Sequence, residues 1–302
     1  MNTEAHILQL LFFYSNLSRP LTLLELRRLL IDRLESVSLL EIIECVDALV
    51  AKKRVYEQRG FYGIVSDASI ARWRIRQDVC TDEKWREFLA SRRLFRFTPF
   101  VEFACAAGSM AMGNAGKLSD FDVIVGARQG RIFTTRFFCI ALFGALRKRR
   151  KKLSHHDSAS NKICLNHFVT PAAYCLRPPH NMYWAQLYKN LVPLYGSAEA
   201  LAEFFRANAW AGAIFPNDRR HYENSSRWKR LGEWMLGGAA GDAIERWLRA
   251  YQQQRITKSL ADGPRGPDAQ SELGYMPRII HDDSELEFHP DTHRIDQMVK
   301  NL

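Results

Sequence analysis

The residues best suited to chemistry in this chain lie between Phe103 and Val125. An apolar run, Val101 to Ala106, reads as a strand and leads into Gly108-Ser109. A second strand, Phe121 to Val125, follows the triplet Asp120-Phe121-Asp122. Side chains two apart on a strand point to the same face. With Phe121 turned into a core, Asp120 and Asp122 converge on one cation. Magnesium takes hard oxygen ligands and is commonly held by one or two carboxylates plus substrate phosphates. The Gly-Ser turn offers what those phosphates need. Gly108 lets the backbone approach closely, while the Ser109 hydroxyl and the amides opening the next helix donate to phosphate oxygens. An isolated Asp-x-Asp at a strand edge is more often a solvated turn, and an isolated Ser at Ser109 would merely cap a helix; the coupling of the two motifs is what makes a site.

The pattern resembles the DNA polymerase beta-type nucleotidyltransferase superfamily. Its signature is an apolar residue, Gly-Gly or Gly-Ser, a short spacer, then Asp-apolar-Asp-apolar within a strand. This chain has Ala107-Gly108-Ser109, the ten residues Met110 to Ser119, then Asp120-Phe121-Asp122-Val123. Ala111, Gly113 and Ser119 also fall where small stand-alone members often have Ala, Gly and Ser. The chain is similar as well to a group of bacterial proteins that join a helical N-terminal module to such a domain. They carry a basic helix followed by a Lys-Ile-Cys-Leu-Asn strand, here Lys162 to Asn166.

The resemblance implies an α+β nucleotidyltransferase palm, a small mixed sheet backed by helices. The implied reaction is Mg²⁺-dependent transfer of a nucleoside monophosphate from an NTP to an acceptor hydroxyl of a protein, RNA or small molecule. Asp120 and Asp122 would bind the metal, and Gly108, Ser109 and Ser119 the nucleotide. Active members place a third carboxylate on the next strand, where this chain has Asn166. Alternation along that strand puts Cys164, Asn166 and Phe168 on one face and Ile163, Leu165, His167 and Val169 on the other. Asn166 is thus expected beside Asp122 and His167 turned away. Asn cannot accept a proton at neutral pH, so a catalytically weakened nucleotide- or RNA-binding regulator is the rival expectation. Asp157, Asp282, Asp283 and Glu285 are candidate substitutes for the missing acid.

The elements around this centre divide into an N-terminal module (1–75), the palm (76–175) and a helical C-terminal region (176–302). Helices are expected over residues 5–15, Leu23 to Leu34 and Leu39 to Lys53. Thr22 with Glu25 forms a capping box at the second, and Ser38 caps the third. A hairpin turning at Gln58-Arg59-Gly60 follows, which together suggest a winged helix. Its third helix carries Glu41, Glu44 and Asp47, whose charge repels phosphates. Sequence-specific duplex DNA binding is therefore not expected, and packing or homodimer formation is favoured. Ala68 to Phe95 is expected to be helical, as is Arg131 to Lys152. A strand spans Lys162 to Val169. From Met182 the pattern is helical (through Leu191, Ala198 to Trp210, Ser226 to Tyr251), and an irregular tail follows Lys258. Trp184, Trp210, Trp228, Trp234 and Trp247 fit helix core positions.

The bulk composition bounds the class. Of 302 residues, 47% are hydrophobic and 25% charged, which suits a folded protein; the formal net charge of +10 favours anionic partners. Part of that excess is the run Arg147 to Lys152, which reads as the solvated end of a helix or a counter-charge for phosphates. Arg131 and Arg136 read as surface salt-bridge formers. The six cysteines include no C-x-x-C pair, and His155-His156 has no third ligand at metal spacing. A reducing, cytoplasmic setting is expected. The longest apolar run, Phe137 to Leu146, is too short to span a bilayer. Beside the basic run it forms a candidate interfacial anchor.

Overall fold

The computed structural model describes residues 3–30, 37–150, 160–178, 180–212, 226–261 and 278–289. Its centre is a six-stranded mixed sheet of order β6-β3-β4-β5-β8-β7. The strands are β3 (Val101–Ala106), β4 (Phe121–Ala127), β5 (Ile163–Val169), β6 (Val192–Gly196), β7 (Arg278–His281) and β8 (Glu285–His289), after a small hairpin of β1 (Tyr56–Gln58) and β2 (Phe61–Gly63). Among the described residues only β4 and β5 run parallel; the other neighbouring strands pair antiparallel. A parallel pair needs a crossover connection, and α6 (Ile132–Ala145) supplies it.

Helices cover both faces. On one side lie α1 (Thr3–Asn16), α2 (Leu23–Leu29), α3 (Leu39–Ala51), α7 (Met182–Lys189) and α8 (Ala198–Ala207). Their apolar side chains share a core with Phe103, Cys105, Ile124 and Val169 of the sheet. On the other side α4 (Ile70–Arg92), α6 and α10 (Gly238–Ala261) pack over Ala104, Phe121, Val123, Val125 and Phe168. Phe88 of α4 stacks on Phe121 at 4.5 Å between centroids. Burying such a ring contributes roughly 1.5–3 kcal/mol, which fixes which way the Asp-Phe-Asp triplet turns.

The N-terminal helices form as their caps direct. Thr22 and Ser38 each complete a reciprocal capping box, with Glu25 and Glu41. The hairpin turns through Arg59 and Gly60, both at positive φ (54° and 80°), the geometry of a tight two-residue connection. Glu41, Glu44 and Asp47 are exposed on α3. This region does not stand alone. Tyr14 donates to Gln186 of α7 at 3.1 Å, and the Arg28 guanidinium to Asn190 at 3.3 Å.

Several expected elements differ. The second helix is described only to Leu29, and 31–34 of its expected span lie outside the described residues. The crossover helix ends at Ala145 instead of reaching Lys152, because Arg147 adopts a left-handed φ of 55°. Residues 148–150 then run beside the start of β5, Ile163 N donating to Lys148 O and Arg150 N to Ile163 O. The helical reading after Met182 misses β6, a short edge strand containing Pro193, a residue sheets tolerate at their edges. Ser226 to Tyr251 is two helices, α9 (Arg227–Met235) and α10, broken at Leu236-Gly237. Residues 278–289 of the expected irregular tail form the β7–β8 hairpin at the sheet edge. Trp184 is buried, whereas Trp228, Trp234 and Trp247 are exposed and not core. Among the described residues no helix is long and apolar enough to cross a membrane.

Candidate functional site

β3 leads through Ala107 into α5 (Gly108–Met112), a single short turn of helix, and the chain returns as β4. The Ala107 amide donates to the Asp122 carbonyl at 3.0 Å, clamping the Gly-Ser turn against the second strand. Gly108 sits at φ 60°, and a Cβ built on it would stand 2.1 Å from Asp122 Oδ2. Glycine is therefore required twice here, by its backbone angle and by the carboxylate packed against it. Ser109 is the second residue of α5; the cap position belongs to Ala107, with no side-chain bond, so Ser109 is not the helix cap.

Asp120, Asp122 and Cys164 form one cluster, each offering a ligand atom within 4.8 Å of the others. The two carboxylates converge as alternation requires, because Phe121 and Val123 point into the opposite core. Arg150 donates to Asp120 Oδ2 at 2.6 Å, both side chains being largely buried. Its reach follows from the 148–150 extension alongside β5. Burial first, then Asp122 and Asp120, push the Cys164 thiol well above its ordinary range, and it hydrogen-bonds with Asp122. It is a neutral thiol.

Ser119 plays a turn-forming part. Its hydroxyl accepts from the Gly116 amide at 2.9 Å, and its carbonyl accepts from Lys84 Nζ at 2.8 Å. Lys84, from α4, also donates to Asn161 at 2.6 Å. Burial lowers the Lys84 pKa, opposed by Cys80, Glu87 and Asp120. Phosphate contact by Ser119 would add to this structural work.

The third strand corrects the expected alternation. Phe121 pairs with Ile163 and Asp122 with Cys164, but Ile124 pairs with His167. One residue of β4, Val123, thus faces two on β5, Leu165 and Asn166. This bulge reverses the faces beyond it. Phe168 joins Ile163 and Leu165 in the core beneath α6, while Val169 goes to the opposite core. The register before the bulge already sets Cys164, not Asn166, across from Asp122; Asn166 is buried in the bulge. His167, paired with Ile124, is carried onto the face of Asp122 rather than away from it.

The proposed substitutes for a third acid are otherwise engaged. Asp282 accepts from Ser284 and Arg177, and burial, the first influence, is overcome by those bonds to hold its pKa at about 2. Asp283 pairs with Arg249 at 2.8 Å. Glu285 is buried against His167 (3.2 Å) and Arg177 (3.0 Å). Asp157, His155, His156, Lys151 and Lys152 lie outside the described residues. Arg131 pairs with Asp242, whereas Arg136 donates to Gln252 at 2.7 Å instead of forming a surface salt bridge.

Sequence reading missed the place of Cys164 in the cluster, the pairing of Arg150 with Asp120 and a polar row on β8. Glu287, His289 and His167 present ligand atoms within 4.8 Å of one another. Arg278 holds Glu287 at 3.0 Å and lies over the Trp184 ring, which balances the buried charge. The signal for that row was the alternation Glu285-Leu286-Glu287-Phe288-His289.

Family models, curated proteins and solved structures contain no match to this chain.

Proposed function

We propose that the protein is a Mg²⁺-dependent nucleotidyltransferase acting on an NTP. The observation that carries this is the convergence of Asp120 and Asp122 beside a Gly108 turn with no room for a side chain. Two hard carboxylate oxygens suit magnesium, whereas a neutral thiol does not, so Asp120 and Asp122 would hold the ion and Cys164 would not. Bound there, the ion would neutralise phosphate charge and polarise the α-phosphorus. Gly108 lets the Asp122 carboxylate pack against the turn, and the Ser109 hydroxyl and first-turn amides of α5 would donate to the phosphates. Arg150, on Asp120 at 2.6 Å, supplies a second positive charge at the phosphate mouth. The acceptor hydroxyl oxygen would bond to the α-phosphorus as the bond to the β-phosphate breaks; pyrophosphate would leave, and the hydroxyl proton would pass to solvent or to a substrate phosphate oxygen. Such catalysis is positioning and charge neutralisation, which few residues accomplish.

The thiol opposite Asp122 favours a second reading, nucleotide binding without efficient transfer. Both readings share one test: Mg²⁺-dependent NTP binding, measured together with pyrophosphate release. Asp120→Asn with Asp122→Asn should abolish the binding while leaving thermal stability similar. Unchanged nucleotide affinity in that double variant refutes both; wild-type binding without release selects the second.

A further inference from the structure

Each acidic residue of α9 and α10 is engaged by the rest of the fold, although Asp242 remains exposed. Glu233 accepts from the Phe100 amide at 2.8 Å and from Arg128 at 3.2 Å. Asp242 pairs with Arg131, and Glu245 accepts from the Phe133 and Thr134 amides at 2.9 and 2.8 Å. The large side chains that face out are mostly cationic and apolar. Trp228, Trp234 and Trp247 are 72%, 79% and 63% exposed, values far from those of a packed indole. Trp228, Leu231 and Met235 recur at i, i+3 and i+7 along α9, and Ile244, Trp247 and Tyr251 do the same along α10. All of these are exposed. Arg227, Arg230 and Arg246 stand exposed beside the stripes with no ion-pair partner among the described residues.

We propose that the outward faces of α9 and α10 are a docking surface for an anionic phospholipid bilayer. A second copy of the chain is disfavoured, since like faces would set arginine against arginine, and the one exposed acid of the two helices, Asp242, is already paired with Arg131. A nucleic acid would use the indoles and guanidiniums but leave Leu231, Met235 and Ile244 in water. A bilayer uses all three kinds of group. Aliphatic side chains enter the acyl boundary, indoles settle at headgroup level, and arginines meet lipid phosphates. The stretch Phe137 to Leu146, expected from sequence as the lipid anchor, is different: Cys139 and Phe143 are buried within the core beneath α6.

The test is flotation of the full-length protein with vesicles of phosphatidylcholine, with and without phosphatidylglycerol. Binding should need the anionic lipid, weaken in high salt and shift tryptophan emission to the blue. Arg227→Gln, Arg230→Gln and Arg246→Gln together should lower partitioning on the order of 100-fold, at about fivefold per guanidinium. Trp228→Ala, Trp234→Ala and Trp247→Ala should also abolish it; these positions are exposed, so an unchanged circular dichroism melt is expected. Absence of lipid-dependent flotation overturns the proposal. So would tryptophan variants that float normally but lose a dimer in light scattering or lose binding to oligouridylate.

Discussion

Replacing Gly108 with alanine tests the site at its tightest point. An L residue at φ 60° costs roughly 1–2 kcal/mol. The new methyl would sit 2.1 Å from Asp122 Oδ2 and 2.9 Å from its Cγ, where ordinary contact begins at 3.4 Å. Relief cannot come from the strand, because Asp122 is locked by its carbonyl bond to the Ala107 amide at 3.0 Å. The carboxylate must rotate by about 1 Å or more, and a misplacement of that size typically costs on the order of 100-fold in catalysis. Thermal unfolding of Gly108→Ala should fall by about 2–8 °C, and Mg²⁺-dependent NTP binding should weaken. Gly116→Ala is the control: no atom lies within 4 Å of its would-be Cβ, and neither measurement should change. Gly108→Ala with wild-type metal-dependent binding would refute the placement of Asp122 in the site.

Because Cys164 pairs across from Asp122, Cys164→Asp should supply the missing acid and raise pyrophosphate release by up to about 10²–10⁴. It should also melt lower without Mg²⁺ and recover with it, and an inert variant would exclude general-base deficiency at this position. A second outcome concerns pH. Burial alone would raise the Glu25 pKa, but hydrogen bonds from Arg74 and the Thr22 amide, with the charges of Arg74 and Arg19, lower it from 4.5 to about 2. A depressed folded-state pKa stabilises above the unfolded value, so roughly 3 kcal/mol is present at neutral pH and lost as pH falls from 4.5 toward 2. Urea midpoints across that window should fall more steeply in wild type than in Glu25→Gln; parallel curves would show the Arg19-Glu25-Arg74 network to be energetically idle.

Much of this protein was written locally in its sequence. The Asp120-Phe121-Asp122 convergence follows from strand periodicity and one large apolar ring, and the capping boxes at Thr22 and Ser38 follow from residues three apart. Such features depend on neighbours within a turn or a strand, so spacing alone reveals them. The register of β5 is another matter. Alternation puts Cys164 and Asn166 on one face and leads to the expectation of Asn166 beside Asp122, but only the interstrand register decides which of them pairs there, and it is Cys164; the bulge opposite Val123 then turns Phe168 into the core beneath α6. Arg150 reaches Asp120 only because Arg147 breaks the helix and the chain runs along β5. The β7–β8 hairpin completes the sheet with a strand more than 100 residues distant from β5, a pairing that no local pattern encodes. Exposure of Trp228, Trp234 and Trp247 was equally hidden, since helical spacing gives a stripe but not the side of the molecule it faces. Only the docking of α9 and α10 through their acidic residues decides that.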